Sequence, residues 1–413
     1  MTLMKTRKNT ILQGIRERAG KARRNTLKRN ITFFAIGMFF ANLAWGIGYP
    51  YLTVYMKIIG GTMFLVGLLS VIYNLTSAIF QYPFGYLSDK IGKRKPFIIL
   101  GVLFSGTTYV LVIFISTPIL LLSLRGTQGA LGASFAPAHS ALISELSTRV
   151  GSMFGFFNFV ENMGFMVGNF LGGYIVKKVG IKSAFLATSI VSLVSILFLT
   201  QVKERERKKK NIGSFLPIRE GRESEKVEMK SSAFKMLMKG ELGAFYLSVL
   251  LAMIASGEVY ATVPVYFQEK FGEEFVGFLL GIDSLAAALG SLLIGRLIDK
   301  YGEKVFYKLA ILGYILTFIG YAWATTIIIM ALVSLLSGVK WAMITSSAST
   351  YVARRVPHRE RGQGMGLLNT MMTLGWVIGP LIGGLIADNF GFSVMLYSTT
   401  LPLIVSFLLA FKS

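Results

Sequence analysis

Twelve apolar blocks, each about twenty residues or longer, leave this chain few folds to choose from. They run near 31–56, 62–87, 96–116, 118–141, 151–176, 183–202, 243–268, 275–298, 305–324, 326–350, 363–387 and 391–411. At 1.5 Å of rise per residue, a helix of about 20 residues crosses a hydrocarbon layer of about 30 Å. Lipid offers no partner to a bare N–H or C=O, so each block is expected to satisfy its own backbone as a helix. The blocks predict an all-α membrane protein with twelve transmembrane helices. Charged residues make up only 15% of the chain, against about 25% in soluble domains. The sequence contains no cysteine, which excludes disulfides and thiolate chemistry.

A formal net charge of +23 suggests nucleic acid until the charges are placed along the chain. With the N-terminus inside, 36 of the 43 Lys and Arg residues fall on the cytoplasmic side. Five lie outside (Lys57, Lys177, Lys178, Lys182, Lys270), and Arg125 and Lys340 lie within blocks. This asymmetry is the positive-inside pattern of a multi-pass plasma-membrane protein with both termini cytoplasmic, and it argues against a nucleic-acid partner. Residues 1–30 hold ten basic side chains and one acid, with Ile11, Ile15, Ala19 and Ala22 on one helical edge. Such a segment suits the surface of an anionic inner leaflet.

Hydrophobicity collapses between Gln201 and Glu241, so residues 203–240 read as a cytoplasmic linker. On either side lie two pseudo-symmetric six-helix bundles, 31–202 and 241–413. Val66-Gly67 recurs as Val276-Gly277, and Gly85-x-Leu87-x-Asp89-Lys90-x-Gly92 recurs as Gly295-x-Leu297-x-Asp299-Lys300-x-Gly302, all 210 residues apart. Such a repeat allows two halves to rock about a shared site at the membrane midplane.

The run Gly85-x-Leu87-Ser88-Asp89-Lys90-x-Gly92-Lys93-Arg94 resembles the signature loop between helices 2 and 3 of the major facilitator superfamily. The second copy departs from it, with Glu303 where a basic residue is usual. The resemblance covers essentially the whole chain. It implies a conformational latch in which Asp89, Lys93 and Arg94 work with Glu145 at the cytoplasmic end of helix 4, and Asp299 in the second half. Glycine at 85 and 92 permits tight turning and close helix approach.

Helix 4 carries Arg125 followed by Gln128-Gly129, similar to the pattern of proton-coupled members of the family. An arginine at membrane depth is costly and usually lies beside a carboxylate. Coupling or gating and simple anchoring of helix 4 both remain open for it. Helix 5 has Gly164-x-x-x-Gly168-Asn169, with asparagine where exporters of the family carry proline; helix 11 has the proline version, Gly375-x-x-x-Gly379-Pro380. Three acids sit within blocks: Glu161, Glu258 and Asp283. With Arg125 they are the candidates for proton coupling, each weighed against a structural ion pair. Asn42, Trp45, Tyr49, Gln128, Asn158, Asn162, Tyr260, Lys340 and Trp341 are the candidate cavity residues. Aromatic faces and acids together suit amphipathic cations.

No phosphate-binding Gly-x-x-x-x-Gly-Lys loop occurs, so no nucleotide cofactor is expected, nor a metal site with two histidines and no cysteine. The resemblance implies a secondary transporter rather than an enzyme, expected to be monomeric, with protons and a small molecule as partners. Export of hydrophobic or cationic molecules, as by the drug–proton antiporters, is the expectation. Import or exchange of a polar or anionic metabolite, held by Arg125 and Lys340 together, is the alternative.

Overall fold

The computed structural model describes residues 2–146, 150–204, 240–356 and 361–412. The side chains of residues 2–24, which include the apolar edge of the basic segment, and of Asp89 lie outside the described residues, as does nearly all of the 203–240 linker. Every regular element among the described residues is a helix. In the first half these are α1 (Thr2–Ile58), α2 (Met63–Ile91), α3 (Lys95–Val112), α4 (Pro118–Gly132), α5 (Phe135–Leu146), α6 (Val150–Val179) and α7 (Ile181–Thr200). In the second they are α8 (Gly240–Tyr260), α9 (Val263–Phe271), α10 (Glu273–Tyr301), α11 (Glu303–Trp323), α12 (Ile327–Arg355), α13 (Arg361–Ser398) and α14 (Thr400–Lys412).

Nine segments among the described residues are long and apolar enough to cross a membrane. One of these, Gly364–Phe411, runs 48 residues and is broken at Gly391, whose φ of +82° is left-handed. Three expected single helices are interrupted, one of them the 391–411 block, which is divided at Thr399 between α13 and α14. The 118–141 block divides into α4 and α5 around Ala133 and Ser134, and the Ser134 hydroxyl donates to Phe97 O at 3.1 Å. The 243–268 block divides into α8 and α9, with Pro264 in the first turn of α9. Proline lacks the N–H that a continuing helix would need but fits a helix start. The Thr262 hydroxyl donates to Glu258 O at 3.0 Å, satisfying a carbonyl that the break would otherwise strand.

Among the described residues, the hydrogen bonds and ion pairs that join the two halves lie at one end. There Asp388 accepts from the backbone N–H groups of Met63 (2.6 Å) and Phe64 (2.8 Å) at the start of α2, whose exposed peptide donors favour an anion. The Tyr51 hydroxyl donates to Glu273 O (3.3 Å) and accepts from Gly277 N–H (3.1 Å). Asn169 Nδ2 donates to Ser284 Oγ at 3.1 Å and Leu280 O at 3.3 Å. A Cβ on Gly277 would lie 2.2 Å from Asn169 O, so only glycine allows α6 and α10 to touch here. At the other end, where the repeated Gly-x-Leu-x-Asp loops lie, no hydrogen bond or ion pair among the described residues joins the halves. Gly295 there has nothing within 4 Å of where a Cβ would stand.

Candidate functional site

Each half buries a cation within one of its apolar helices, and the surroundings differ. In the first half Arg125 is 3% exposed. Its guanidinium donates to Gln128 Oε1 and lies 4.0 Å from the ring centre of Tyr73 and 5.5 Å from that of Tyr49. Gln128 Nε2 in turn donates to Ser105 O at 2.8 Å. The expected carboxylate is missing: among the described residues no acid lies within ion-pairing distance of Arg125, and its Nε is buried without a partner. The aromatic quadrupoles and one amide oxygen stabilise the charge instead.

In the second half the Lys340 ammonium, also buried, donates to Tyr260 Oη at 2.7 Å and Ser337 Oγ at 3.4 Å. It stands 4.0 Å from the centre of the Tyr314 ring, and the Tyr260 and Ser337 hydroxyls are 2.5 Å apart. Asp283 faces this cluster, attracted by Lys340 and near Ser337, yet its Oδ1 has no hydrogen-bond partner. Tyr260 and Trp341 both pack against Trp376, at centroid distances of 6.0 and 6.4 Å. Among the described residues, the ring and hydrogen-bond neighbours of Arg125 and those of Lys340 do not overlap.

The other two acids stand apart. Glu161 Oε1 lies 2.7 Å from His139 Nε2, a partner the sequence did not suggest. Glu258 is 3% exposed beside Ser398, with Oε2 unpartnered. Of the expected cavity residues, Asn42 and Trp45 line a cavity of about 250 Å³ in the first half, shared with Tyr73, Asn74, Ser77 and Gln81. Trp45 stacks on Tyr49 at 5.9 Å. Asn158 and Asn162 are exposed on α6, and Asn162 Nδ2 is spent on Asn158 O at 2.8 Å.

The latch residues fall into two small charge clusters. Gly92, at φ +72°, ends α2, and its N–H donates to Ser88 O. Arg94 Nε lies 3.3 Å from Glu145 Oε1, its Nη1 donates to Ser88 Oγ at 2.9 Å, and its backbone N–H donates to Glu204 at 2.5 Å. Lys93 and Gly85 make no such bridge: Lys93 is exposed, and Gly85 abuts only Pro137. In the second half Arg354 reaches Asp299 (3.1 Å) and Glu303 (2.6 Å), and Arg355 reaches Glu303 (2.8 Å). Glu303, the apparent departure from the repeat, is the hub. Arg355 stands 210 residues after Glu145, and Glu303 stands 210 after Lys93, one residue before the position of Arg94, so the second half has the first-half bridge with its charges exchanged and a shift of one residue on the loop. That register was available in the sequence and is the signal by which Glu303, Arg354 and Arg355 are found.

The sequence profile of the Major Facilitator Superfamily matches residues 34–281 and again 245–413. Among curated relatives, an uncharacterized MFS-type transporter from Methanocaldococcus jannaschii is 28% identical over 89% of this chain and 94% of its own length. The multidrug resistance protein MdtG of Dickeya zeae is 27% identical over 92% and 93%. A homolog of the multi-drug resistance efflux pump PmrA from Lactococcus lactis is 25% identical over 93% and 94%. Among solved structures, the nucleoside transporter NupG superposes with a TM-score of 0.75 at 14% identity, over 93% of this chain and 99% of that one. A bacterial homolog of the human lysosomal transporter Spinster, inward-facing and occupied, gives 0.71 at 14% identity over 94% and 96%.

Proposed function

Because this chain belongs to the major facilitator superfamily, we propose that it is a proton-coupled exporter of hydrophobic and amphipathic small molecules, working by alternating access. The observation that carries the coupling is Asp283, which faces Lys340 across Ser337 while one carboxylate oxygen stays unpartnered. A carboxyl so placed can exchange its attraction to the ammonium for a bound proton, and that exchange alters the packing of α10 against α12. The relatives named multidrug resistance proteins support the direction of transport.

Twelve membrane passages follow if Gly364–Phe411 crosses twice about Gly391, and if α4 with α5, and α6, supply the passages beyond the nine apolar segments. The basic loops support cytoplasmic termini, and on that reading the conformation is closed outside and parted inside. The latch clusters then lie on the cytoplasmic side, each internal to one half in this conformation. Import or exchange of a polar or anionic metabolite is the second reading, favoured by one observation: among the described residues, Arg125 has no carboxylate partner.

Reconstitution into liposomes with an imposed pH gradient tests the proposal. Uphill movement of an amphipathic fluorophore against proton flow is expected, with loss of that coupling in Asp283→Asn while downhill exchange persists. Accumulation that ignores the pH gradient in the wild-type protein would refute proton coupling.

A further inference from the structure

We infer that the cavity of the N-terminal half is a binding site for uncharged aromatic solutes, and that Arg125 makes it reject cations. This rests on the reading of the chain as a small-molecule transporter and names the substrate class for one of its two halves. At about 250 Å³ the cavity lies near the small end of ligand pockets, so it suits a compact solute. Trp45, Tyr73 and Phe135 supply ring faces, and Asn74, Ser77 and Gln81 supply hydrogen-bonding edges. Asn74 has no hydrogen-bond partner among the described residues, so its amide is available as donor and acceptor. No lining residue carries a formal charge.

A histidine–glutamate pair and an arginine stand just behind the wall. His139 stacks on Phe135 at 4.8 Å, with Glu161 Oε1 2.7 Å from its Nε2. No acid among the described residues lies within ion-pairing distance of Arg125, which is 4.0 Å from Tyr73 and connects through Gln128 to Ser105, another wall residue. The fixed charge in direct contact with a lining ring is therefore positive. The Tyr73 ring, which would otherwise attract a cationic ligand, already serves the guanidinium. A ligand resting on Tyr73 stands roughly 8 Å from that charge, where at an effective dielectric of about 20 one unit of ligand charge changes affinity roughly thirtyfold. Tyr73 and the depth of Arg125 also keep a ligand carboxylate from direct contact with the guanidinium, so the site gains little from an anion.

Fluorescence titration of the full chain in lipid nanodiscs, at fixed pH, with 2-naphthylmethanol, 2-naphthylmethylammonium and 2-naphthoate tests the assignment. The alcohol should bind roughly thirtyfold more tightly than the ammonium, and tighter than the carboxylate. Ala136→Phe, at an exposed position on the cavity wall, should abolish binding of the alcohol. Arg125→Gln should bring the alcohol and ammonium within about threefold, and Arg125→Lys should keep them apart. An ammonium that binds as well as the alcohol and is displaced by Ala136→Phe overturns the inference, as does alcohol binding that survives Ala136→Phe. Naphthoate binding tighter than the alcohol would make the site anionic and equally overturn it. Should Arg125→Gln fail to fold, the wild-type gap and Ala136→Phe still decide. Transport of the alcohol that ignores a pH gradient would sink the proton-coupled reading while leaving this site in place.

Discussion

The two halves are copies of one plan that have diverged most where charge is buried. At matching positions 210 residues apart, α2 carries Tyr73 and α10 carries Asp283. Tyr73 lies over Arg125 as an aromatic face, and Asp283 faces Lys340 as a carboxylate. The first half thus holds a cation stabilised by rings and an amide, with a cavity beside it. The second half holds a cation, an acid and two hydroxyls in a tight cluster. On the proposed reading, one half serves a ligand and the other an exchangeable proton. Internal duplication makes this division of labour accessible, because each copy needs only one of the two chemistries once they move as a pair.

The largest expected effect lies at the matched positions. Asp283→Asn should reduce gradient-driven accumulation at least about a hundredfold in liposomes, a loss of roughly 2.7 kcal/mol of coupling. Tyr73→Phe, which keeps the ring, should change it less than threefold. Equal losses in the two variants would end the idea that the halves have separate tasks.

Stability should separate the cations next. Lys340→Met leaves Asp283 without its nearby counter-charge and is expected to cost about 2 kcal/mol. The double variant Lys340→Met/Asp283→Asn should recover most of that. Arg125→Met strands no carboxylate and should leave thermal stability unchanged or slightly raised. Thermal unfolding followed by tryptophan fluorescence compares the three, and a large loss in Arg125→Met would reveal an acid that the described residues do not contain.

The exchanged latch charges offer a smaller effect. Glu303→Arg sets three like charges together with Arg354 and Arg355 and should slow transport about tenfold, or about 1.4 kcal/mol in the switching barrier. Adding Arg354→Glu and Arg355→Glu to it should restore most of the rate, because the cluster then has the first-half polarity of Arg94 and Glu145. Failure of that rescue would show that the two latches are not interchangeable in sign.

The smallest effect concerns the outer seal. Asn169→Ala removes the two hydrogen bonds to Ser284 and Leu280, each worth about 0.5 kcal/mol net. Spin labels across α6 and α10 should report a severalfold rise in the outward-open population. An unchanged distribution would assign the seal to Asp388 and Tyr51 instead.

Much of the architecture was legible along the chain. The apolar blocks anticipate the helices, and the register of the repeat anticipates which helices correspond. Three breaks escaped the hydropathy pattern, at Ala133–Ser134, Ala261–Thr262 and Thr399, because a short non-helical step changes neither length nor polarity. Prolines 137, 264 and 402 follow the breaks within a few residues and are the local sign of them. The site was less legible. Arg125, Asp283 and Lys340 stood out as charges in apolar runs, yet the carboxylate expected beside Arg125 is not among the described residues, and Glu161 turned out to face His139.

What the sequence determined by itself are properties that accumulate locally: span length, apolarity, the sidedness of basic loops and a repeat held in register. Each is summed over many residues, so single errors do not matter. What only the tertiary structure decided are contacts of about 3 Å between helices far apart in the chain. Which end of the halves is sealed, which acid meets which base, and that Glu303 belongs with Arg354 and Arg355 all depend on how helices rotate and cross. A rotation of one residue, about 100° of helical turn, is enough to take a side chain from one partner to another, and no hydropathy pattern in lipid, where many faces are equally apolar, records that angle.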